Sequence, residues 1–175
     1  MATNLEFIKS LSPDGSSSSV SLTDVFSESY DVYVVTYHIV SNSGSPKGVN
    51  LRLINSSDSI ISSSNYDYAF LLMTTYTSFT PYEDTGAAQW TDILGYTDYT
   101  PEGCSGKFEI YNPFSSSSYS FMTGQSMQQW NGAEGGNKSI GVLKETTSCT
   151  GFNIFIVDSV KPTFGSKISV YGVKG

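Results

Sequence analysis

His38, Cys104 and Cys149 are the only imidazole and thiol groups in the sequence, so they bound the nucleophilic and metal chemistry open to it. A serine or cysteine nucleophile needs a base within hydrogen-bond reach, and His38 is the single imidazole available. It sits inside the apolar run Asp31–Val40, where a histidine satisfied within a sheet is expected rather than a catalytic base. A Cys149–His38 dyad has no support beyond composition, and no Gly-x-Ser-x-Gly elbow is present. The two cysteines are far apart and form no C-x-x-C site, which leaves them as buried, reduced thiols of a protein made in a cytosol or, as the alternative, as one long-range disulfide. The carboxylates offer more. Glu83, Asp84, Asp92, Asp98 and Glu102 are interleaved with Tyr82, Trp90, Tyr96 and Tyr99. Paired carboxylates can hydrolyse glycosides, and acids among aromatic rings suit sugar binding without catalysis. The same composition also suits a structural loop packed by its own tyrosines. No Asp-x-Asp-x-Asp-Gly calcium spacing and no phosphate-binding glycine loop occurs. These patterns predict a protein that is not an enzyme and carries no metal or cofactor. Trp90, Tyr96, Tyr99 and Trp130 are its candidate surface-contact residues.

The composition narrows the classes further. The chain has 175 residues and a formal net charge of −7, with only 14% charged residues. Uncharged hydroxyls fill the deficit, since about a quarter of the chain is serine or threonine, far above ordinary usage. Disorder is not expected, because 38% of residues are hydrophobic and 14% aromatic, spread along the whole length. No apolar run is long enough to span a membrane. The start, Met1-Ala2-Thr3-Asn4-Leu5-Glu6, has no signal-peptide character. Nine Lys and Arg in an acidic chain predict no nucleic-acid partner.

The elements that must position these residues are strands. Tyr33, Val35, Tyr37 and Ile39 alternate with Val32, Val34, Thr36 and His38, which predicts a central strand covered on both sides. Val49-Asn50-Leu51-Arg52-Leu53-Ile54-Asn55 alternates too, and the turn-rich segment Ser41–Gly48 between them predicts a β-hairpin. Further strands are expected over Asp67–Tyr76, Lys107–Tyr111, Tyr119–Met122, Ser139–Lys144, Phe152–Val157 and Lys167–Val173. Short helical turns are expected only at Leu22–Phe26 and Met127–Trp130. The serine runs 16–19, 62–64 and 115–118 read as loops or edge residues. Eight to ten strands with frequent turns predict an all-β, single-domain antiparallel sandwich over residues 1–175, a jelly roll being the best match, with residues 80–106 as a long excursion.

Charge is uneven along the chain. Residues 1–136 hold most acids, whereas the last segment carries Lys138, Lys144, Lys161, Lys167 and Lys174 against Glu145 and Asp158. These lysines read as edge-blunting charges on strands or as a basic face that docks on an acidic partner.

The closing segment Phe164-Gly165-Ser166-Lys167-Ile168-Ser169-Val170-Tyr171-Gly172-Val173-Lys174 resembles the terminal strand of tailed-bacteriophage virion proteins that end in an Ile-x-Val-Tyr-Gly-Val-Lys pattern. The segments Val20–Phe26, Tyr30–Tyr37 and Leu51–Asn55 followed by Ile60–Tyr68 are similar to the same group. The resemblance implies a jelly-roll-like structural domain of the virion, made in the bacterial host cytoplasm. Because the chain has no shaft-forming repeat, it implies a capsid decoration or knob protein bound to the major capsid protein or another virion protein. A tail-fibre tip or receptor-binding module contacting host surface glycan is the alternative, and a carbohydrate-binding module the third reading. A homo-oligomer is implied, with a trimer favoured.

Overall fold

The computed structural model describes residues 4–76, 79–98, 101–130, 133–163 and 165–174. Tyr99, the side chain of Trp130, and Phe164 within the family-like ending lie outside them. The strands, in chain order, are β1 (Leu5–Leu11), β2 (Ser19–Leu22), β3 (Val32–Ile39), β4 (Lys47–Asn55), β5 (Tyr66–Thr74), β6 (Thr80–Ala87), β7 (Tyr96–Thr97), β8 (Cys104–Tyr111), β9 (Ser120–Trp130), β10 (Ala133–Leu143), β11 (Cys149–Ile156) and β12 (Lys167–Val173). They form two antiparallel sheets packed as a β-sandwich. The large sheet has the order β1-β12-β3-β8-β9-β10-β5-β6 and the small one β2-β11-β4-β7. The expected all-β sandwich is what forms, with more strands than anticipated and an uneven eight-to-four division.

Alternation places the core. On β3, Tyr33, Val35, Tyr37 and Ile39 turn inward and are buried. Phe152 of β11 meets Phe108 of β8 edge to face at 5.7 Å and Phe26 at 5.9 Å, and Phe26 meets Tyr33 at 4.7 Å, so aromatic rings bridge the sheets. Such pairs add about 0.5–1.5 kcal/mol each beyond burial. The buried tyrosines also satisfy their hydroxyls. Tyr33 donates to Ser27 O at 2.9 Å, Tyr37 to Leu94 O at 2.8 Å, and Tyr66 to Ile61 O at 3.0 Å. Each ring therefore fills the core while its tip fastens a connecting segment.

Several local expectations are corrected. Residues 32–39 and 47–55 do not form a hairpin, because β3 lies in the large sheet and β4 in the small one. The chain between them crosses the sandwich. Only the inner face of β3 is covered, and Val32, Val34 and His38 remain half-exposed on the outer face. Met127–Trp130 is the end of the long strand β9, not a helical turn, and residues 19–22 are strand β2. The 80–106 excursion is also part of the fold. Its first third, β6, pairs with β5, and residues 88–97 run beside β4.

The 88–97 segment is anchored by Trp90. Its indole is fully buried, stands edge to face on Tyr66 at 5.2 Å, and directs Nε1 at Asp67 O (3.2 Å) and Val142 O (3.3 Å). A Cβ on Gly141 would lie 2.6 Å from that nitrogen, so the glycine is required by close approach. Trp90→Ala is expected to cost about 3–5 kcal/mol of unfolding free energy, read by chemical denaturation. Gly141→Val should also destabilise by driving a side chain into the indole. A Trp90→Ala protein as stable as wild type would contradict this assignment.

Candidate functional site

The residues able to do nucleophilic chemistry are held apart. His38 faces outward on β3 and its Nδ1 lies 2.7 Å from Ser105 Oγ of β8. Cys149 belongs to the small sheet and is fully buried, so the large sheet stands between it and His38. Cys104 is buried on the inner face, where its thiol donates to Leu94 O at 2.9 Å. Burial pushes both thiols up to about 12, which removes the thiolate needed for reactivity.

The acid–aromatic segment is also divided. Glu83 pairs in register with Ala69 and Asp84 with Tyr68, so the two carboxylates take opposite faces of β6. Asp98 is buried and Glu102 is exposed on a turn. Asp92 and Tyr96 do meet, with the Tyr96 hydroxyl donating to Asp92 Oδ2 at 3.0 Å. Phe70 and Tyr82 stack at 4.8 Å on the same side of the hairpin, and Tyr68 stacks beyond Phe70 at 6.4 Å. Burial raises the Asp92 carboxyl above its ordinary range, and the tyrosine hydroxyl offsets only part of that. The segment around Asp92 is clamped between the sheets. Asn50 Oδ1 accepts from Asp92 N at 2.8 Å, Asn137 Nδ2 donates to Asp92 O at 2.9 Å, and Gln128 Oε1 accepts from Tyr96 N at 2.7 Å. Trp90, expected at the surface, is instead the fully buried anchor of this segment and cannot make a surface contact. Tyr96 is half-buried against Asp92.

The five lysines do not gather on one patch. Lys138 lies on β10 and Lys144 directly follows it, while Lys167 opens β12 and Lys174 directly follows that strand. β3, β8 and β9 separate these strands, about 19 Å at ordinary strand spacing. Lys144 is paired with Asp67 at 2.8 Å and Lys174 with Glu6 at 2.7 Å. Lys161 is exposed on a loop, where its backbone N–H donates to Asn42 Oδ1 at 3.3 Å. The five lysines are therefore dispersed over separate parts of the fold rather than gathered in one cluster.

What the fold does build is a hollow on the outer face of the large sheet. A space of about 480 Å³ is lined by Ala69, Phe121, Ile140 and Val142, with Asp67, Glu83, Thr85, Tyr111 and Thr123 around them. An adjoining one of about 550 Å³ shares Ala69, Glu83 and Ile140 and extends over Leu71, Pro81 and Lys138. Tyr111 is on β8 and Glu83 on β6, four strand spacings away. The space therefore spans the outer side of five neighbouring strands, walled by the side chains that stand on them. Phe121 is 47% and Ile140 60% exposed, although both are large and apolar. The margin is charged, with the Asp67–Lys144 pair on one side and Glu109, bonded to Tyr111 at 2.5 Å and 3.5 Å from Lys107, on the other. An apolar centre inside a charged rim is the anatomy of a protein-binding surface.

The alternation of β10 contains a signal for this hollow that the sequence reading did not use. Asn137, Ser139 and Gly141 point inward and are polar or small, whereas Ile140 and Val142 point outward, inverting the usual pattern.

No protein-family model matches the chain, and no curated protein matches it either.

Two outcomes follow from the buried groups. Native protein should leave both thiols unmodified by a disulfide reagent that labels them fully after unfolding. The Asp92 carboxyl is raised on folding, so the folded state holds its proton more tightly than the unfolded chain. Its ionisation therefore opposes folding above the unfolded carboxylate range and not below it. Asp92→Asn, which suits the residue's φ of 53°, is expected to stabilise the protein at neutral pH. That gain should vanish as pH falls through the carboxylate range, as measured by denaturation at several pH values.

Proposed function

We propose that the chain is a non-enzymatic bacteriophage virion protein that works by docking, as a capsid decoration or knob protein seated on the major capsid protein of the outer head. The observation that carries the docking reading is the concave, apolar-centred and charge-rimmed outer face around Phe121 and Ile140. Monomeric proteins rarely leave such a contiguous apolar surface uncovered. The virion assignment rests on the resemblance of the closing strand, which is β12 and lies next to β1 in the large sheet. A partner surface that fits would present an apolar protrusion to the hollow and charges to its rim. Binding there needs no reactive group, consistent with the buried thiols and the separated acids.

A second reading, a tail-fibre tip or receptor-binding module that contacts host surface glycan, is favoured by Tyr111 and Phe121 in the hollow, with the Glu109 carboxylate bonded to Tyr111 and Glu83 on the far side. Ring faces and carboxylate acceptors can hold a sugar. A carbohydrate-binding module uses the same groups.

Particles of the phage that encodes the chain should contain it in fixed ratio to the major capsid protein and distributed across the head. Phe121→Asp and Ile140→Asp alter exposed positions and should keep the fold. Each is expected to reduce incorporation into particles at least about tenfold, the loss that follows when a charge is placed in an apolar contact centre. A few copies confined to the tail, with glycan binding lost on Tyr111→Ala, would establish the second reading instead. Polysaccharide hydrolysis dependent on Asp92 would overturn both.

A further inference from the structure

The two edges of the large sheet are treated differently. A sheet edge presents unpaired backbone donors and acceptors, and proteins normally blunt it with proline, charge or irregularity. The β6 edge has all three, namely Pro81, Glu83 with Asp84, and a register shift where it meets Tyr66–Tyr68. The edges of the small sheet are short, four residues in β2 and two in β7. β1 is blunted less, with a bulge and the charges of Glu6 and Lys9 but no proline. It is seven residues long, and it exposes Leu5 at 49% and Phe7 at 59%. On its outer side Phe7 meets Tyr171 edge to face at 5.8 Å, forming an apolar platform beside Val34.

The hydrogen-bond phase of β1 decides which backbone groups are free. Lys174 N donates to Asn4 O at 2.8 Å, so residues 4 and 174 form a bonded pair of the ladder. Alternation from that pair turns the backbone groups of Leu5 and Phe7 away from β12. The bulge between Phe7 and Lys9 inserts Ile8 and moves the phase by one. Beyond it Lys9, opposite Val170, faces β12, and Ser10, opposite Ser169, faces away. The free groups therefore belong to Leu5 and Phe7 on one side of the bulge and to Ser10 on the other. Without the bulge, Leu5 and Ser10 could not both face outward.

We propose that two copies of the chain pair edge to edge through β1, antiparallel, with Leu5 opposite Ser10 of the second copy and Glu6 opposite Lys9 of the second copy. In this register Leu5 and Ser10 exchange backbone hydrogen bonds twice about the two-fold axis. Glu6 and Lys9 form the intervening non-bonded pair, where side chains approach most closely. Both point to the inner side of the sheet, since they lie opposite Gly172 and Val170, so their charges meet when each exchanges its partner within the chain, Lys174 for Glu6 and Thr23 O for Lys9. The strand is thus self-complementary in charge, with a negative residue on one side of an apolar Phe7–Ile8 centre and a positive residue on the other. Two large sheets would join into one continuous sheet, covering Leu5 and Phe7. This interface stands apart from the docking hollow, which lies at the other end of the same sheet.

Sedimentation velocity over a micromolar concentration series should give a species of twice 19.0 kDa. Glu6→Lys and Lys9→Glu each set like charges opposite one another twice, and each should weaken the dimer about tenfold or more. The double variant Glu6→Lys/Lys9→Glu should recover wild-type association, a rescue that a merely destabilising change would not show. Glu6→Cys/Lys9→Cys should form a disulfide-linked dimer under oxidation, with Cys104 and Cys149 too buried to contribute. Circular dichroism checks that each variant remains folded. A wild-type monomer, a wild-type trimer, or folded charge variants that associate like wild type would overturn the proposal.

Discussion

The buried indole of Trp90 constrains more of this structure than any other side chain. It lies in the segment that runs beside β4 of the small sheet, yet its Nε1 is aimed at carbonyls of β5 and β10 in the large one. Burying an indole without a partner for its N–H would cost about 1–3 kcal/mol. The two carbonyls satisfy it and fix the separation of the sheets at that point. The space comes from β10, which contributes Gly141 where another residue would collide. A single aromatic thus determines both where the sheets meet and which residues β10 can place inside.

The consequences spread from there. With small or polar residues turned inward on β10, its bulky residues Ile140 and Val142 are left on the outer face. The chain after Trp90 must then run through the interior, where its backbone groups need partners that no regular ladder supplies. Side chains provide them. Asn50, Asn137 and Gln128 hold Asp92 and Tyr96, while Tyr37 and Cys104 both donate to Leu94 O. Gly95 adopts a φ of +99° beside the Gln128 amide, a conformation and a clearance that a side chain would forbid. Asn50, Gln128 and Asn137 are therefore the hydrogen-bonding wall of this inserted segment.

This explains what was legible in the sequence and what was not. Strands whose inner face is apolar, such as β3, β8 and β12, are readable from two-residue alternation, because burial acts on each residue independently. The serine runs are readable as loops for the same local reason. The partner of a strand is not readable this way. Residues 32–39 and 47–55 carry alternating patterns around a turn-rich segment and still enter different sheets, since the choice depends on which neighbour completes each sheet. Trp90 looks like a binding aromatic because it lies among acids and tyrosines, and only the three-dimensional path of residues 88–97 shows that it is core. β10 hides its role because its alternation is inverted by a residue some fifty positions away. The hollow inherits that invisibility, as its floor combines β5, β9 and β10.

An outward row of large apolar residues leaves apolar surface exposed on the large sheet. Here the core explains why Ser139 and Gly141 are small. It does not explain why Ile140 and Phe121 are large, since polar residues on the outer face would leave the Trp90 pocket intact. The same reasoning applies at the other end of the sheet, where Leu5 and Phe7 could be polar without disturbing the pairing of β1 with β12. Folding accounts for the inner faces of both sheets, and of these outer residues Phe7 also meets Tyr171 edge to face. Their size and apolarity fit the docking and pairing contacts proposed for the outer face and the β1 edge of the large sheet.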